Sequence, residues 1–359
     1  MAPDDPAEKD LSERFTFWQR SLDRLDELLL RQKLQDRRLK LESGMQLVTD
    51  REPLLRLLRD VEGAFERMES GQYGLCQVCL EPIERDRLLS DPLANTCLEH
   101  LTPNQRRALD EDLKLAWRIQ SQLLPEREIR WNGWEVCYHY EPAGSVPGDY
   151  CDLMRMESGE LYFLLGDVSG KGIAASMLMS HLHAMFHSLI AAGLPFPELV
   201  GHANRLLCES TTSNSFATLT LGRASSSGEV QICNAGHCPL VWARRTEITN
   251  LNATGIPLGI LRDSSYTMTM VQLEPGESLV LYTDGLTEAL DSSGQEYGID
   301  RVVRLMAAMR KLSAAAAIDA YLDDLTAFLA GSSKHDDLTI MVVKRSEVLD
   351  QRSARETSV

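Results

Sequence analysis

LYFLLGDVSGKGIAASM, residues 161–177, joins an apolar run to an acidic turn and then to a helical pattern. Leu161–Leu165 reads as a buried strand, and the helical period begins at about 172 and continues to about 192. Between them Gly166-Asp167-Val168-Ser169-Gly170-Lys171 turns the chain. A carboxylate at the end of a buried strand is held rigidly while pointing out of the core. Neighbouring glycines let backbone carbonyls and water come close. Such an arrangement suits magnesium or manganese, which prefer several oxygen ligands.

Three further turns repeat the theme: Gly148-Asp149-Tyr150, Tyr282-Thr283-Asp284-Gly285 and His335-Asp336-Asp337. Asp-Gly pairs are common turn formers, so one alone decides little. Four at the ends of strand-like runs point to an acidic site. The runs are WEVCYHY, LYFLLGDV, FATLTLGRA, EVQICNAG, SLVLYTDG and LTIMVVKR, separated by Gly, Asp and Ser turns. Helical patterns lie between them at about 172–192, 196–211, 298–310 and 314–330. Strands in this number, with helices inserted in pairs, predict a layered α/β (α+β) fold with largely antiparallel sheets.

The first seventy residues have another texture. Phe15, Trp18, Leu22, Leu25 and Leu29 recur at helical spacing, as do Leu54, Leu57, Leu58, Val61 and Phe65 over about 52–70. Gly44 and a capping Thr49-Asp50 pair separate the two stretches. A helical hairpin and a dimerising coiled coil fit equally well. A long helix over about 104–124, ended by Pro125, carries Leu109, Leu113, Ala116, Ile119, Gln120 and Leu123 near one face.

The chain has 359 residues with 53 acidic and 37 basic, a net charge of -16. That balance argues against a broad nucleic-acid surface, because such binding runs on Lys/Arg neutralisation of phosphates. The N-terminal stretch MAPDDPAEKDLSERF lacks an apolar signal segment, and no apolar run is long enough to span a membrane. A soluble, cytoplasmic protein without a membrane partner is expected. Cys137, Cys151, Cys208, Cys233 and Cys238 lie among apolar residues and read as buried thiols rather than disulfides.

Six ordered motifs over roughly 110–345 resemble the PPM family, the metal-dependent type 2C serine/threonine phosphatases, and within it the RsbU/SpoIIE branch. They are PAGSVPGDYCD (142–152), GDVSGKGIAASM (166–177), NAGHCP (234–239), GIPLGI (255–260), YTDGLTEALDSSGQEYG (282–298) and HDDLTIMVVKR (335–345). The resemblance implies a sandwich of two antiparallel sheets flanked by helices, with two manganese or magnesium ions at one end. By it, Asp167 bridges the ions with the Val168 carbonyl as an auxiliary ligand. Asp149 serves one ion, and Asp284 and Asp336 the other. Asp337 either orients its neighbour or binds metal itself. No serine or cysteine nucleophile is required, since two ions can activate water. Ser169 and Lys171 could touch phosphate or simply shape the turn. His237 could act as a general acid or as a structural histidine, and Glu288 reads as a fold determinant. Two departures stand beside the site: Pro147 where a second glycine is usual, and Cys151 where an aromatic residue is usual.

Cys76-x-x-Cys79 followed by Cys97-x-x-His100 has the spacing of one structural zinc site. GAFERMESGQYGLCQVCLEPIERDRLLSDPLANTCLEH, residues 63–100, resembles the DksA/TraR zinc-finger family. Leu80 replaces the glycine usual after the first pair, and His100 the fourth cysteine. The expected organisation is a helical regulatory arm (1–70), a zinc finger (71–103), a linker helix (104–125), a phosphatase domain (126–346) and a disordered tail (347–359). LDEDLKLAWRIQSQLLP is similar to the linker helix preceding RsbU-type phosphatases, which implies a homodimer controlled through that helix. The implied substrate is a phosphorylated regulatory protein such as an anti-sigma-factor antagonist. A transcription regulator that binds RNA polymerase through the N-terminal module is the alternative.

Overall fold

The computed structural model describes residues 30–35, 37–39, 42, 51–84, 87, 88, 91–144, 146–169, 173–211, 216–331 and 336–346. The first helical stretch before residue 30, the Thr49-Asp50 cap, Gly170, Lys171, His335 and the tail lie outside them. The chain divides into two compact units, Met1–Leu109 and Asp110–Val359.

The larger unit is built on two sheets, each antiparallel throughout. One has the order β1-β2-β11-β10-β7-β8, from β1 (Glu128–Trp131), β2 (Trp134–Glu141), β11 (Leu338–Arg345), β10 (Ser278–Tyr282), β7 (Leu240–Ala243) and β8 (Ile248–Leu251). The other runs β3-β4-β5-β6-β9, from β3 (Asp149–Arg155), β4 (Leu161–Val168), β5 (Ala217–Ala224), β6 (Glu229–Ala235) and β9 (Thr269–Gln272). The predicted helices are present, at α3 (Ile173–Ala191), α4 (Phe196–Ser210), α6 (Ile299–Met309) and α7 (Ala314–Leu329). A one-turn helix, α5 (Asp284–Thr287), follows β10. The long helix expected over 104–124 is α2 (Pro103–Ser121), and its predicted stripe residue Ile119 is exposed.

Side-chain parity explains the layers. Along β4, Leu161, Phe163 and Leu165 face the other sheet, while Tyr162, Leu164 and Val168 face the core under α3 and α4. Burial on both faces is why this strand is uniformly apolar rather than alternating. On β10 and β11 the inner set is Leu279, Leu281, Met341 and Val343. The outer set, Val280, Tyr282, Leu338, Ile340 and Val342, packs with α6 and α7. The result is the expected sandwich of two antiparallel sheets flanked by helices. Phe163 lies opposite Gly222 on β5, where an added Cβ would stand only 1.9 Å from the ring, so the glycine makes room for an inter-sheet aromatic.

In the smaller unit, residues 30–35 and 37–39 are helical and α1 spans Glu52–Glu69. Leu30 and Leu34 share a core with Val61 and Ala64 of α1 and with Tyr73, Ile83, Leu88 and Ala94. Cys76 and Cys97 belong to the same core, so the apolar packing closes around the thiols. Tyr73 Oη donates to the Pro92 carbonyl at 2.8 Å, and Gln77 N to that of Asn95 at 2.9 Å, tying the two halves of the cysteine unit together. Leu80, the residue standing where glycine is usual, has φ of 60° and donates its N–H to the Cys76 carbonyl at 2.9 Å. A side chain in the left-handed region costs on the order of 1 kcal/mol, and here its apolar body is exposed. Leu80→Gly is therefore expected to stabilise this turn by about 1 kcal/mol, less glycine's greater unfolded-state entropy. The check is amide exchange across residues 73–83: slower exchange agrees with relieved strain, faster exchange contradicts it.

Candidate metal centre

The inner layer changes chemistry at one end of the sandwich. Following the inward parity, Leu161, Phe163 and Leu165 give way to Asp167, and Leu153 and Cys151 to Asp149. Asp149 and Asp167 are directly opposed in the β3–β4 register. Like charges so placed repel unless a cation lies between them. From the other sheet, Thr283 after β10 and Thr339 on β11 have the same inward parity, and both donate their hydroxyls to Asp149 Oδ2, Thr283 at 3.0 Å. Thr283 N also bonds the Thr339 carbonyl at 3.0 Å. Asp149 is buried, and that burial pushes its carboxyl well above the usual carboxylate range. The Thr339 and Thr283 hydroxyls oppose the shift, while the charges of Asp167 and Asp337 add to it.

Asp284 and Asp336 arrive on separate segments. Gly285 lies so close to the Asp337 carbonyl that an added Cβ would come within 1.9 Å of it, which sets Asp284 beside the Asp336-Asp337 peptide. Asp336 Oδ1 accepts from Asp337 N at 3.0 Å. Asp337 has a different use: its two oxygens accept from Ala143 N and Gly148 N, each at 2.7 Å. It thus holds the 142–148 loop, which fits an orienting role. At Gly148 an added Cβ would meet the Val168 carbonyl at 3.2 Å and Asp167 Oδ1 at 3.3 Å. The absence of a side chain leaves a space bounded by these two oxygens. An all-oxygen donor set of this kind fits magnesium or manganese.

The surrounding residues sort the remaining candidates. His237 is buried, its Nδ1 lies 2.8 Å from Thr218 Oγ1, and burial pushes it down to about 4. It is neutral near pH 7, which fits a structural role better than a general acid. Thr218 in turn accepts from Asp167 N at 3.3 Å, so the histidine supports the Asp167 backbone. Ser169 Oγ accepts from Phe216 N at 2.9 Å, shaping the turn. Cys151 fills the inter-sheet core, and burial pushes its thiol up. Pro147 offers its carbonyl to Gln120 Nε2 of α2 at 3.0 Å. Trp117, also on α2, stacks with its ring 6.2 Å from that of Tyr140, whose hydroxyl donates to the Asp149 carbonyl at 2.9 Å. Thr283, Thr339, Thr218 and Gln120 were not singled out from the sequence as site residues. Thr283 and Thr339 stand within two residues of the acids and Gln120 is polar within an apolar stripe, but nothing in the sequence marks Thr218.

In the smaller unit, the ligand atoms of Cys76, Cys79, Cys97 and His100 all lie within 4.8 Å of one another. Cys79 Sγ is 3.8 Å from Cys97 Sγ, and Cys97 Sγ is 3.2 Å from His100 Nδ1. Tetrahedral zinc with Zn–S bonds of about 2.3 Å sets thiolates about 3.8 Å apart, so the donors fit that ion. Burial works against the Cys76 thiolate, but the N–H groups of Cys79, Cys97 and Val78 outweigh it and hold the thiol down to about 6.

Residues 157–346, just over half of the chain, match the family Stage II sporulation protein E (SpoIIE). Protein IcfG of Synechocystis is 27% identical over 266 residues, covering 66% of this chain and 42% of that protein. Phosphoserine phosphatase RsbU of Bacillus subtilis is 25% identical over 243 residues, covering 67% of this chain and 72% of that protein. Among solved structures, the SiaA-PP2C domain of Pseudomonas aeruginosa superposes with a TM-score of 0.59 at 19% identity, over 67% of this chain and 98% of that domain. The two-sheet unit thus has the PP2C-type phosphatase fold, and the chain belongs to the SpoIIE family.

Proposed function

We propose that the protein is a metal-dependent serine/threonine phosphatase that removes phosphate from a regulatory protein. The observation that carries the reading is the direct opposition of Asp149 and Asp167 across β3 and β4, with Thr283, next to Asp284, and Thr339, just after the Asp336-Asp337 pair, both donating to Asp149 Oδ2. These four carboxylates and the Val168 carbonyl would hold two manganese or magnesium ions, with Asp167 shared. When bound, two such ions supply an attacking water of lowered pKa and offset charge on the phosphoryl oxygens. The protein's own part is positional. Thr283 and Thr339 fix the Asp149 carboxylate, Asp337 fixes the loop before it, and the His237–Thr218 pair steadies Asp167. RsbU's name as a phosphoserine phosphatase supports a phosphoserine substrate, and the family resemblance an anti-sigma-factor antagonist. The match over 157–346 favours this reading over a polymerase-binding one.

The N-terminal module is read as regulatory. Cys76, Cys79, Cys97 and His100 would hold one structural zinc, and the linker helix would pair two copies of the chain. Within the larger unit, α2 reaches the acidic end by two routes, Gln120 to Pro147 and Trp117 through Tyr140 to Asp149. A shift of this helix would therefore move the Asp149 loop. Among the described residues no helix is long and apolar enough to cross a membrane.

Hydrolysis of p-nitrophenyl phosphate and of a phosphoserine peptide is expected to require manganese or magnesium and to stop on chelation. Asp167→Asn should lower kcat by at least about a hundredfold, since metal stabilisation of the transition state is worth several kcal/mol. Metal-independent turnover, or an Asp167→Asn variant of normal rate, would refute the reading. Gln120→Ala removes one hydrogen bond worth about 1 kcal/mol. It should raise the manganese concentration for half-maximal activity several-fold with the fold unchanged by circular dichroism. A manganese dependence identical to wild type would disconnect α2 from the site.

A further inference from the structure

The opposite face of β3 carries a second cluster that the phosphatase reading does not use. Asp152 stands three residues after Asp149, so its side chain points away from the acidic end and toward α3. There it meets His183 and His187, one helical turn apart on α3. Asp152 Oδ2 lies 2.8 Å from His187 Nε2 and 3.2 Å from His183 Nδ1. The two imidazole rings are 4.1 Å apart, centre to centre. The three ligand atoms fall within 4.8 Å of one another. We propose that Asp152, His183 and His187 form a binding site for a divalent transition-metal ion, zinc by preference, that clamps helix α3 to strand β3.

A proton alone satisfies this cluster poorly. One carboxylate oxygen faces two imidazoles, and two imidazolium rings at such separation would repel. The 2.8 Å hydrogen bond goes to His187, whose pKa it raises, while the buried His183 Nδ1 reaches the same oxygen as a 3.2 Å ion-pair contact without good hydrogen-bond geometry. An unsatisfied buried nitrogen is uncommon in a folded core. A dication resolves both problems, because it accepts a lone pair from each neutral ring and neutralises the carboxylate. Donors around tetrahedral zinc with bonds of about 2.0–2.1 Å lie about 3.3 Å apart; His183 at 3.2 Å from the carboxylate oxygen already meets that spacing, and His187 at 2.8 Å would move outward by about 0.5 Å to share the ion. Mixed nitrogen and oxygen donors favour zinc over magnesium or manganese.

The carboxylate is built to serve as a ligand. Asp152 is 3% exposed, its Oδ1 accepts from Leu153 N at 2.8 Å, and Tyr150 Oη donates to Oδ2 at 3.0 Å. Burial opposes its ionisation, yet the two histidines hold it down to about 2. His187 is 43% exposed, so an ion has access from solvent and room for water at its open position. Nothing in this depends on the phosphatase assignment.

The test uses the full-length protein, stripped with chelator and dialysed to equilibrium against micromolar zinc with excess magnesium to compete at the acidic end. Zinc per chain is counted in wild type, His187→Gln and Asp152→Asn. The wild type is expected to hold one equivalent more than either variant. Loss of a direct ligand should weaken that equivalent by more than the about 10–100-fold typical of an outer partner. His187 is 43% exposed and Asp152→Asn is isosteric, so both variants should retain the fold. As a second readout, zinc should slow amide exchange over residues 176–187 in wild type and leave His187→Gln unchanged. Equal zinc counts in all three proteins, or zinc-independent exchange in wild type, would overturn the proposal.

Discussion

Two hydroxyls from one sheet converge on a single carboxylate oxygen of the other: Thr283 and Thr339 both donate to Asp149 Oδ2. The acidic end depends on that contact. Elsewhere the sheets meet through Leu, Phe, Met and Val side chains, which need only exclude water. At this end a charge is buried, and an unpaired buried charge costs several kcal/mol. The threonines offset part of that cost and fix the rotamer, and the opposed Asp167 adds repulsion that a cation would remove. The sandwich thus sets Asp149 against Asp167 at some expense of stability without metal.

The same logic ranks the neighbours. Asp337 holds the loop because backbone N–H groups occupy both of its oxygens, and Gly148 and Gly285 keep the approach clear. Glycine at these two positions is a requirement of close backbone contact rather than of turn conformation. Around the cysteines the apolar core of the smaller unit supplies the shape and the backbone N–H groups supply the charge stabilisation. The departure at Leu80 is borne as local strain. It leaves the donor set intact.

Much of this was legible in the sequence. The four long helices of the larger unit fall within a residue or two of their expected limits, because each carries a sustained apolar period. Strands read as uniform apolar runs were found for the same reason. β3 was seen only as an acidic turn, since Asp149 and Asp152 mask its strand character, and β1, β7, β8 and β9 are too short for a period to register. The acids themselves were visible at strand ends. Their pairing was not: that Asp149 opposes Asp167 and is held by Thr283 and Thr339 depends on register and on how the sheets face each other. Threonine is an ordinary strand residue, so beyond closeness to the acids nothing marks these two. His183 and His187 likewise sit within an apolar helical pattern, and their partner Asp152 lies on a strand some thirty residues earlier.

The central claim is that these carboxylates hold two ions side by side, and manganese electron paramagnetic resonance tests it most directly. Two exchange-coupled manganese ions per chain are expected. Asp167→Asn should abolish the coupled signal, while Asp284→Asn should leave a single uncoupled ion. A lone uncoupled ion in the wild type, or a coupled pair that survives loss of the Asp167 carboxylate, would contradict that claim.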